Sequence, residues 1–195
     1  MPLTACSKNI KYAPTTCIVV PGGVAQIFVA DATLFDFTQG APISGVPQSY
    51  TAITDLGTSS KIYGVKFTRM QAEYSYDQKN TDGVAPLYAH KLTFPVPDIN
   101  MLTEQWSALI DAQGYCCGIL LIIILNSGRI LVMGESSVNA ASLAVPFYTY
   151  QDGSKATSGK KMDDQNQNAV TIVGQYNRPL IEYTGSLASI VALEA

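Results

Sequence analysis

Apolar residues along this chain fall mostly in short runs separated by turn residues, and this spacing predicts β-strands. A first strand is predicted over Val24 to Ala30. The strongest run, Cys116 to Leu125, is apolar and rich in β-branched residues, and the turn Asn126-Ser127-Gly128 joins it to Arg129 to Met133. These two segments are predicted to form a buried hairpin.

The stretch from Lys61 to Tyr76 changes the phase of its alternation. Its apolar residues stand at odd positions from Tyr63 to Phe67 and at even positions from Met70 onward. We interpret this change as a bulge or bend near Thr68 in one long strand. Leu87 to Val96 is the predicted partner, so residues 70–94 predict a long antiparallel hairpin that protrudes and has a polar tip.

The rest of the chain predicts one helix and further strands. Apolar residues at helical spacing predict a helix over Met101 to Ala112, and residues 135–168 read as a long polar loop. Residues 35–60 predict a loop with weak strands near Tyr50 to Leu56, and Ala169 to Val173 and Leu180 to Tyr183 are predicted closing strands. The predicted fold is a single domain over 1–195, mainly β: an antiparallel β-sandwich or barrel with one flanking α-helix and a long protruding hairpin.

Composition narrows the function classes. Of 195 residues, 47% are hydrophobic and only 14% are charged, with a formal net charge of −3, which excludes a disordered chain and favours a surface that meets other proteins. Twelve thinly spread basic residues make tight nucleic-acid binding an unfavoured interpretation. The start lacks a signal-peptide core, and the run Tyr115 to Leu125 is too short for a membrane span, so we expect a soluble protein that is not exported.

Residues that carry chemistry are few. The only histidine, His90, shares a strand face with Tyr88 and Leu92 and is predicted to be a hydrogen-bonded structural residue. Cysteines 6, 17, 116 and 117 are expected to be free, buried thiols in a reducing compartment, and Cys117 is interpreted as packed rather than activated. No catalytic residue, cofactor or metal site is predicted, and the chain is not expected to be an enzyme.

Two segments resemble ligand loops and fail the comparison. Gly153 to Lys160 has the wrong glycine spacing for a phosphate loop and is predicted to be a solvated surface loop. Asp164 to Asn168 matches the first five positions of a calcium loop, but Ala169 and Gln175 stand where glycine and glutamate belong. We therefore predict a simple turn there.

The order of elements resembles that of tail tube proteins of tailed bacteriophages over most of the chain. The resemblance rests on Gly22-Gly23-Val24, on Tyr63 to Arg69 leading into the hairpin that ends Leu92-Thr93-Phe94, on the helix Met101 to Ala112, on the hairpin Ile119 to Met133, and on a Gly- and Asp/Asn-rich loop before Val170 to Val173. It implies a structural virion protein that is made in the host bacterial cytoplasm. Six copies would form a ring, and rings would stack into a tube for genome ejection.

The same resemblance implies the partners and contact residues. The partners would be the protein itself and other phage tail proteins, with DNA only as passing cargo through a commonly acidic lumen, and without membrane insertion. The hairpin would reach a neighbouring subunit. The implied contact residues are Tyr74, Tyr76, Asp77, Gln78, Lys79, Asn80, Thr81, Asp82, Gly83, Leu87 and Tyr88.

Two alternatives stay open. One is another ring-forming virion protein of the neck or tail, such as a tail terminator. The other is a binding module, a β-sandwich that holds carbohydrate or a host-surface ligand on Tyr148, Tyr150 and Tyr176.

Overall fold

Strands make up most of the described part of the chain. The computed structural model describes residues 22–40, 49–67, 71–80, 87–97, 108, 118–138, 144–146, 149–157, 167–176 and 178–195. The strands are β1 (Val24–Asp31), β2 (Phe35–Gln39), β3 (Ser49–Asp55), β4 (Tyr63–Val65), β5 (Glu73–Lys79), β6 (Leu87–Pro97), β7 (Ile119–Leu125), β8 (Ile130–Met133), β9 (Ser136–Val138), β10 (Ala144–Pro146), β11 (Thr149–Thr157), β12 (Gln167–Tyr176) and β13 (Ile181–Tyr183). One short helix, α1, spans Leu187–Val191.

The strands form two principal sheets. The large sheet has the order β2-β3-β13-β8-β7-β1-β4, and the small sheet has the order β11-β12-β6-β5, while β9 and β10 pair separately. The predicted mainly β sandwich is confirmed, and neither sheet closes into a barrel. The expectation of purely antiparallel pairing is wrong at one point, because β13 runs parallel to β3. These strands are far apart in sequence, so no hairpin turn fixes their direction.

The two sheets pack face to face over an inter-sheet core. From the large sheet, β1, β7 and β8 contribute residues such as Ile27, Leu121 and Met133. Leu92 of β6 and Ile172 of β12 face them from the small sheet. On β12, buried and partly exposed residues alternate, as expected for a strand with one face in a core.

The other face of the large sheet is covered by a second core. Phe28, Ile122 and Val132 lie in it, together with Ile190 of α1. After β13 the chain crosses this face to the edge at β4, where the amide of Ala195 donates to the carbonyl oxygen of Ile62. The central strand β7 is therefore buried on both sides, which explains its unbroken apolar sequence.

The predicted hairpin is present as β5 and β6. Their register runs from Glu73 opposite Thr93 to Lys79 opposite Leu87. Beyond the prediction, β12 pairs with the other side of β6 as far as Tyr88, so β6 lies inside the small sheet. Protrusion of the tip concerns residues 81–86, which lie outside the described residues.

The single bent strand predicted from Lys61 to Tyr76 is wrong. It comprises β4 in the large sheet and β5 in the small sheet. The change of phase that suggested a bulge marks the crossing from one sheet to the other. Val65 and Phe67 of the first half and Ala72 and Tyr74 of the second half pack against the same inter-sheet core, although β4 and β5 belong to opposite sheets.

Two other predictions fall on partly described segments. The helix Met101 to Ala112 lies outside the described residues except for Ala108, which is helical. The predicted loop 135–168 is wrong where β9, β10 and β11 occur, and β11 includes part of the predicted surface loop Gly153 to Lys160. The end of this loop and of the turn predicted over Asp164 to Asn168 is also wrong, because β12 begins at Gln167. Backbone pairing with β12 defines β11, although its small and polar residues give no apolar alternation.

Candidate functional site

The predicted contact residues lie on β5 and at the start of β6. Tyr76 is 51% exposed and Leu87 is 38% exposed, whereas Tyr74 and Tyr88 are half-buried. Four polar residues next to them are exposed: Asp77, Gln78, Lys79 and Asn80. Thr81, Asp82 and Gly83 lie outside the described residues. The described hairpin therefore presents one aromatic and one aliphatic side chain among polar neighbours.

The strand β5 is an edge of the small sheet. Within the described chain it pairs with β6 alone, so its outer backbone groups face away from the sheet. Every residue from Ser75 to Lys79 is exposed. Such an edge is a template for pairing with another chain, and proteins usually cover it or guard it with charge.

Behind this edge, four tyrosine rings surround His90. The rings of Tyr74 and Tyr88 stack nearly parallel to the imidazole, with centroids at 6.0 and 6.3 Å. Tyr76 lies 5.5 Å away at a tilt, and Tyr176 of β12 meets the imidazole edge-on at 5.1 Å. His90 is only 1% exposed, so these rings together with the sheet bury it.

Both ring nitrogens of His90 are hydrogen-bonded, as the sequence predicted. Nε2 lies 3.2 Å from the carbonyl oxygen of Arg178, which can only accept, so Nε2 carries the proton. In the neutral ring, Nδ1 then accepts from the hydroxyl of Tyr74 at 2.8 Å. Burial lowers the pKa of His90 below its ordinary 6.5, and this favours the neutral form.

A buried carboxylate, that of Glu135, is bonded to Arg178 and Tyr176, the two residues that also contact His90. Glu135 is 2% exposed, and its Oε1 accepts from Nη2 of Arg178 at 3.0 Å and from the hydroxyl of Tyr50 at 3.2 Å. Its Oε2 accepts from the hydroxyl of Tyr176 at 3.5 Å. Burial raises the pKa of Glu135 to about 7, although these donors oppose the shift.

The local sequence explains how Glu135 enters the interior. Gly134 directly after β8 has a φ of +88°, a conformation that glycine adopts without strain, and its amide donates to the hydroxyl of Tyr176. Burial also raises the pKa of both Tyr50 and Tyr176, which keeps their hydroxyls protonated as donors. The network joins β3 of the large sheet to β12 of the small sheet.

Sequence reasoning identified His90 but missed this network. One signal was available, because Glu135 follows an apolar strand after a single glycine, and a charge at the end of a buried strand needs a partner. Its partners were out of reach, since Tyr50, Tyr176 and Arg178 lie 85, 41 and 43 positions away in sequence.

The remaining candidate sites have different outcomes. The prediction that Tyr176 belongs to a carbohydrate-binding surface is wrong. Its side chain is 1% exposed, and its hydroxyl is bonded to Glu135. Tyr148, the cysteines and Asp164 lie outside the described residues. In the described segments, no group of three or more His, Cys, Asp or Glu residues is arranged to hold a metal ion.

Comparison with known proteins adds no relative. No protein family, curated protein or solved structure matches the chain. Among the described helical residues, no helix has the length and apolar character to cross a membrane.

Proposed function

We propose that this chain is a structural virion protein, a tail tube subunit of which six copies form a ring and rings stack into a channel for genome delivery. The observation that carries this proposal is the outer edge of β5, which no described strand covers. Tyr76 and Leu87 are exposed on the same hairpin and supply apolar contact area.

A ring requires two different surfaces that fit each other, because a head-to-tail contact repeats by rotation until it closes. The open sandwich supports this requirement with a second edge. In the described chain β2 pairs only with β3 and ends the large sheet, whereas β5 ends the small sheet. Pairing between copies would also cover the outer backbone groups of β5.

The composition supports a tube rather than a nucleic-acid-binding protein. Twelve basic and fifteen acidic residues give a net charge of −3, which is compatible with a channel through which DNA passes without binding. A ring-forming neck or tail-terminator protein requires the same edge contact, but its growth ends after a defined number of rings.

The test is assembly of the purified chain. We expect sedimentation velocity over a concentration series to reveal a large species, and negative-stain electron microscopy to show six-fold rings or hollow tubes. Tubes of unlimited length indicate a tube subunit, and rings of fixed height indicate a neck or terminator protein. A strictly monomeric chain at every concentration contradicts the proposal.

A matched pair of variants locates the contact. Leu87→Lys puts a charge on the hairpin and is expected to raise the concentration needed for assembly at least about tenfold, which corresponds to about 1.4 kcal/mol. Leu187→Lys makes the same change at a leucine that is 41% exposed on α1, outside both edge strands, and it should assemble like the wild type. Equal assembly of all three proteins would exclude the hairpin as the contact.

A further inference from the structure

The edge strand β5 is tied to the interior through one histidine. The hydroxyl of Tyr74 donates to Nδ1 of His90, and His90 in turn donates from Nε2 to the carbonyl oxygen of Arg178. This arrangement requires a neutral imidazole, because protonation turns Nδ1 into a donor. The Tyr74 hydroxyl would then have to turn its hydrogen away and accept instead.

The surroundings of His90 do not compensate a positive charge. The described groups that pack their rings on the imidazole or hydrogen-bond to it are Tyr74 and Tyr76 of β5, Tyr88 of β6, Tyr176 of β12 and the Arg178 carbonyl, and none of these is a carboxylate. An imidazolium buried there loses hydration without gaining an ion pair.

The nearest charged side chains contact the residues around His90 rather than the imidazole itself. The carboxylate of Glu135 is already bound by the Arg178 side chain. From the large sheet, Arg129 acts on Tyr74 electrostatically and is itself paired with Glu182 at 3.0 Å. Each of these carboxylates is therefore engaged with an arginine rather than with His90.

Of the three strands that surround His90, β5 has the fewest backbone pairings in the described chain. The strand β6 is paired on both sides, by β5 and by β12, and β12 is paired with both β6 and β11. In the described chain β5 has one paired side and exposed residues along most of its length. The movement of β5 away from the sheet is therefore the local opening that costs the least free energy and lets water reach a protonated ring.

We propose that His90 is a proton-operated latch on β5, which holds the edge strand in place while the ring is neutral and releases it when the ring is protonated. Acidification then weakens association between copies at this edge. The second step rests on the proposed function, whereas the first concerns the chain alone.

Burial and the lowered pKa of His90 determine the pH at which β5 is released. Release is expected below the ordinary pKa of 6.5, and the strand stays latched at neutral pH. Because the fold disfavours the charged form of His90, the latched state loses stability as the pH falls.

Hydrogen exchange measured by mass spectrometry tests the first step. Exchange in a peptide covering residues 73–79 is compared with exchange in a peptide covering 119–125 of β7, each corrected for the intrinsic pH dependence of amide exchange. From pH 7.5 to pH 5.0 we expect protection of β5 to fall at least about threefold, while β7 stays protected.

Three variants separate the latch from general loosening. His90→Gln does not titrate in this range and should abolish the step. Tyr74→Phe keeps the ring but removes the hydroxyl, so β5 should be less protected already at pH 7.5, and a smaller step should remain because His90 is still buried. Tyr76→Phe is the matched control on the same strand and should keep the step, because the described contact of Tyr76 with His90 is through its ring.

Each outcome decides one part. Unchanged protection of β5 at pH 5.0, or the same step in His90→Gln, overturns the latch. If the wild type opens β5 but assembles equally at both pH values, control of assembly is overturned. If the chain assembles at neither pH, the proposed function fails, and the exchange data still decide the latch.

Discussion

Glu135 is a carboxyl group enclosed between two sheets, and its protonation is linked to folding. Its pKa is about 7 in the folded chain against an ordinary 4.5, because burial outweighs the donors Arg178, Tyr50 and Tyr176. Between these two values the native state binds more protons than the unfolded state. The free energy of unfolding therefore falls as the pH rises through this window.

The first prediction follows from this sign. Between pH 5.5 and pH 8.0, the wild type should lose about 2 kcal/mol more of its unfolding free energy than Glu135→Gln, since the amide cannot ionise. Urea denaturation at the two pH values measures the difference. Glu182→Gln is the control, because that carboxylate is partly exposed in its ion pair with Arg129 and its loss should leave the pH dependence of the wild type in place. A Glu135→Gln variant with the full pH dependence would contradict the assignment.

Single residues were predictable where local pattern decides their role. His90 occupies an alternating strand, so its packing among Tyr88 and Leu92 could be read from neighbours in sequence. The network of Glu135 could not, because chain topology rather than spacing brings Tyr50 and Arg178 to it.

Among the elements, β7 and β12 differ in how many faces they bury. Leu120 and Leu121 of β7 point into different cores and are both at most 1% exposed. On β12, Val170 lies in the inter-sheet core, whereas Val173 is on the outer face and partly exposed.

The second prediction compares alanine substitutions on these strands. Leu120→Ala and Leu121→Ala should each cost about 2–5 kcal/mol, because each leaves a cavity in a packed core. Val170→Ala should also be clearly destabilising, and Val173→Ala should cost less than about 1 kcal/mol. Urea denaturation of the four variants provides the comparison. Equal effects of the two valine substitutions would contradict the assignment of faces.

The third prediction concerns α1, which the chain uses to cross the second core. Ile190 is fully buried beneath the helix, and Val191 next to it is 46% exposed. Ile190→Ala should cost about 2–4 kcal/mol, while Val191→Ala should stay within about 0.5 kcal/mol. Thermal or urea unfolding measures both, and a small effect at Ile190 would mean that α1 does not seal this face.

Elements were predictable in proportion to their apolar signal. The hairpin of β7 and β8 was predicted nearly to its ends, because a continuous apolar run and the turn at Gly128 act together. In contrast, β11 was missed, since an edge strand of small and polar residues is defined by pairing with β12. Helix α1 was missed because five residues give too little periodicity to detect.

At the scale of the whole molecule, the mainly β sandwich followed from many short strands, but the order of strands did not. The pairing of β3 with β13 joins residues 49–50 to residues 182–183, and no local signal indicates such a contact. The crossing between β4 and β5 was likewise hidden, because a change of sheet and a bulge produce the same shift of phase in sequence.

The last prediction concerns the forces that would hold copies together. Only 14% of the residues are charged, and the proposed contact consists of backbone groups on β5 with the exposed side chains Tyr76 and Leu87. At physiological ionic strength the electrostatic screening length is about 8 Å, so salt weakens interactions between exposed charges that are further apart than this. Salt affects backbone pairing and apolar contact far less.

The concentration needed for assembly should therefore change less than about threefold between 50 and 500 mM sodium chloride. Sedimentation velocity or light scattering at fixed pH 7.5 measures it, and Leu87→Lys serves as the comparison because it introduces a charge at the contact. A wild type that dissociates steeply in salt would contradict an edge contact. It would instead indicate that the sparse charges, such as Asp77 and Lys79, lie at the interface.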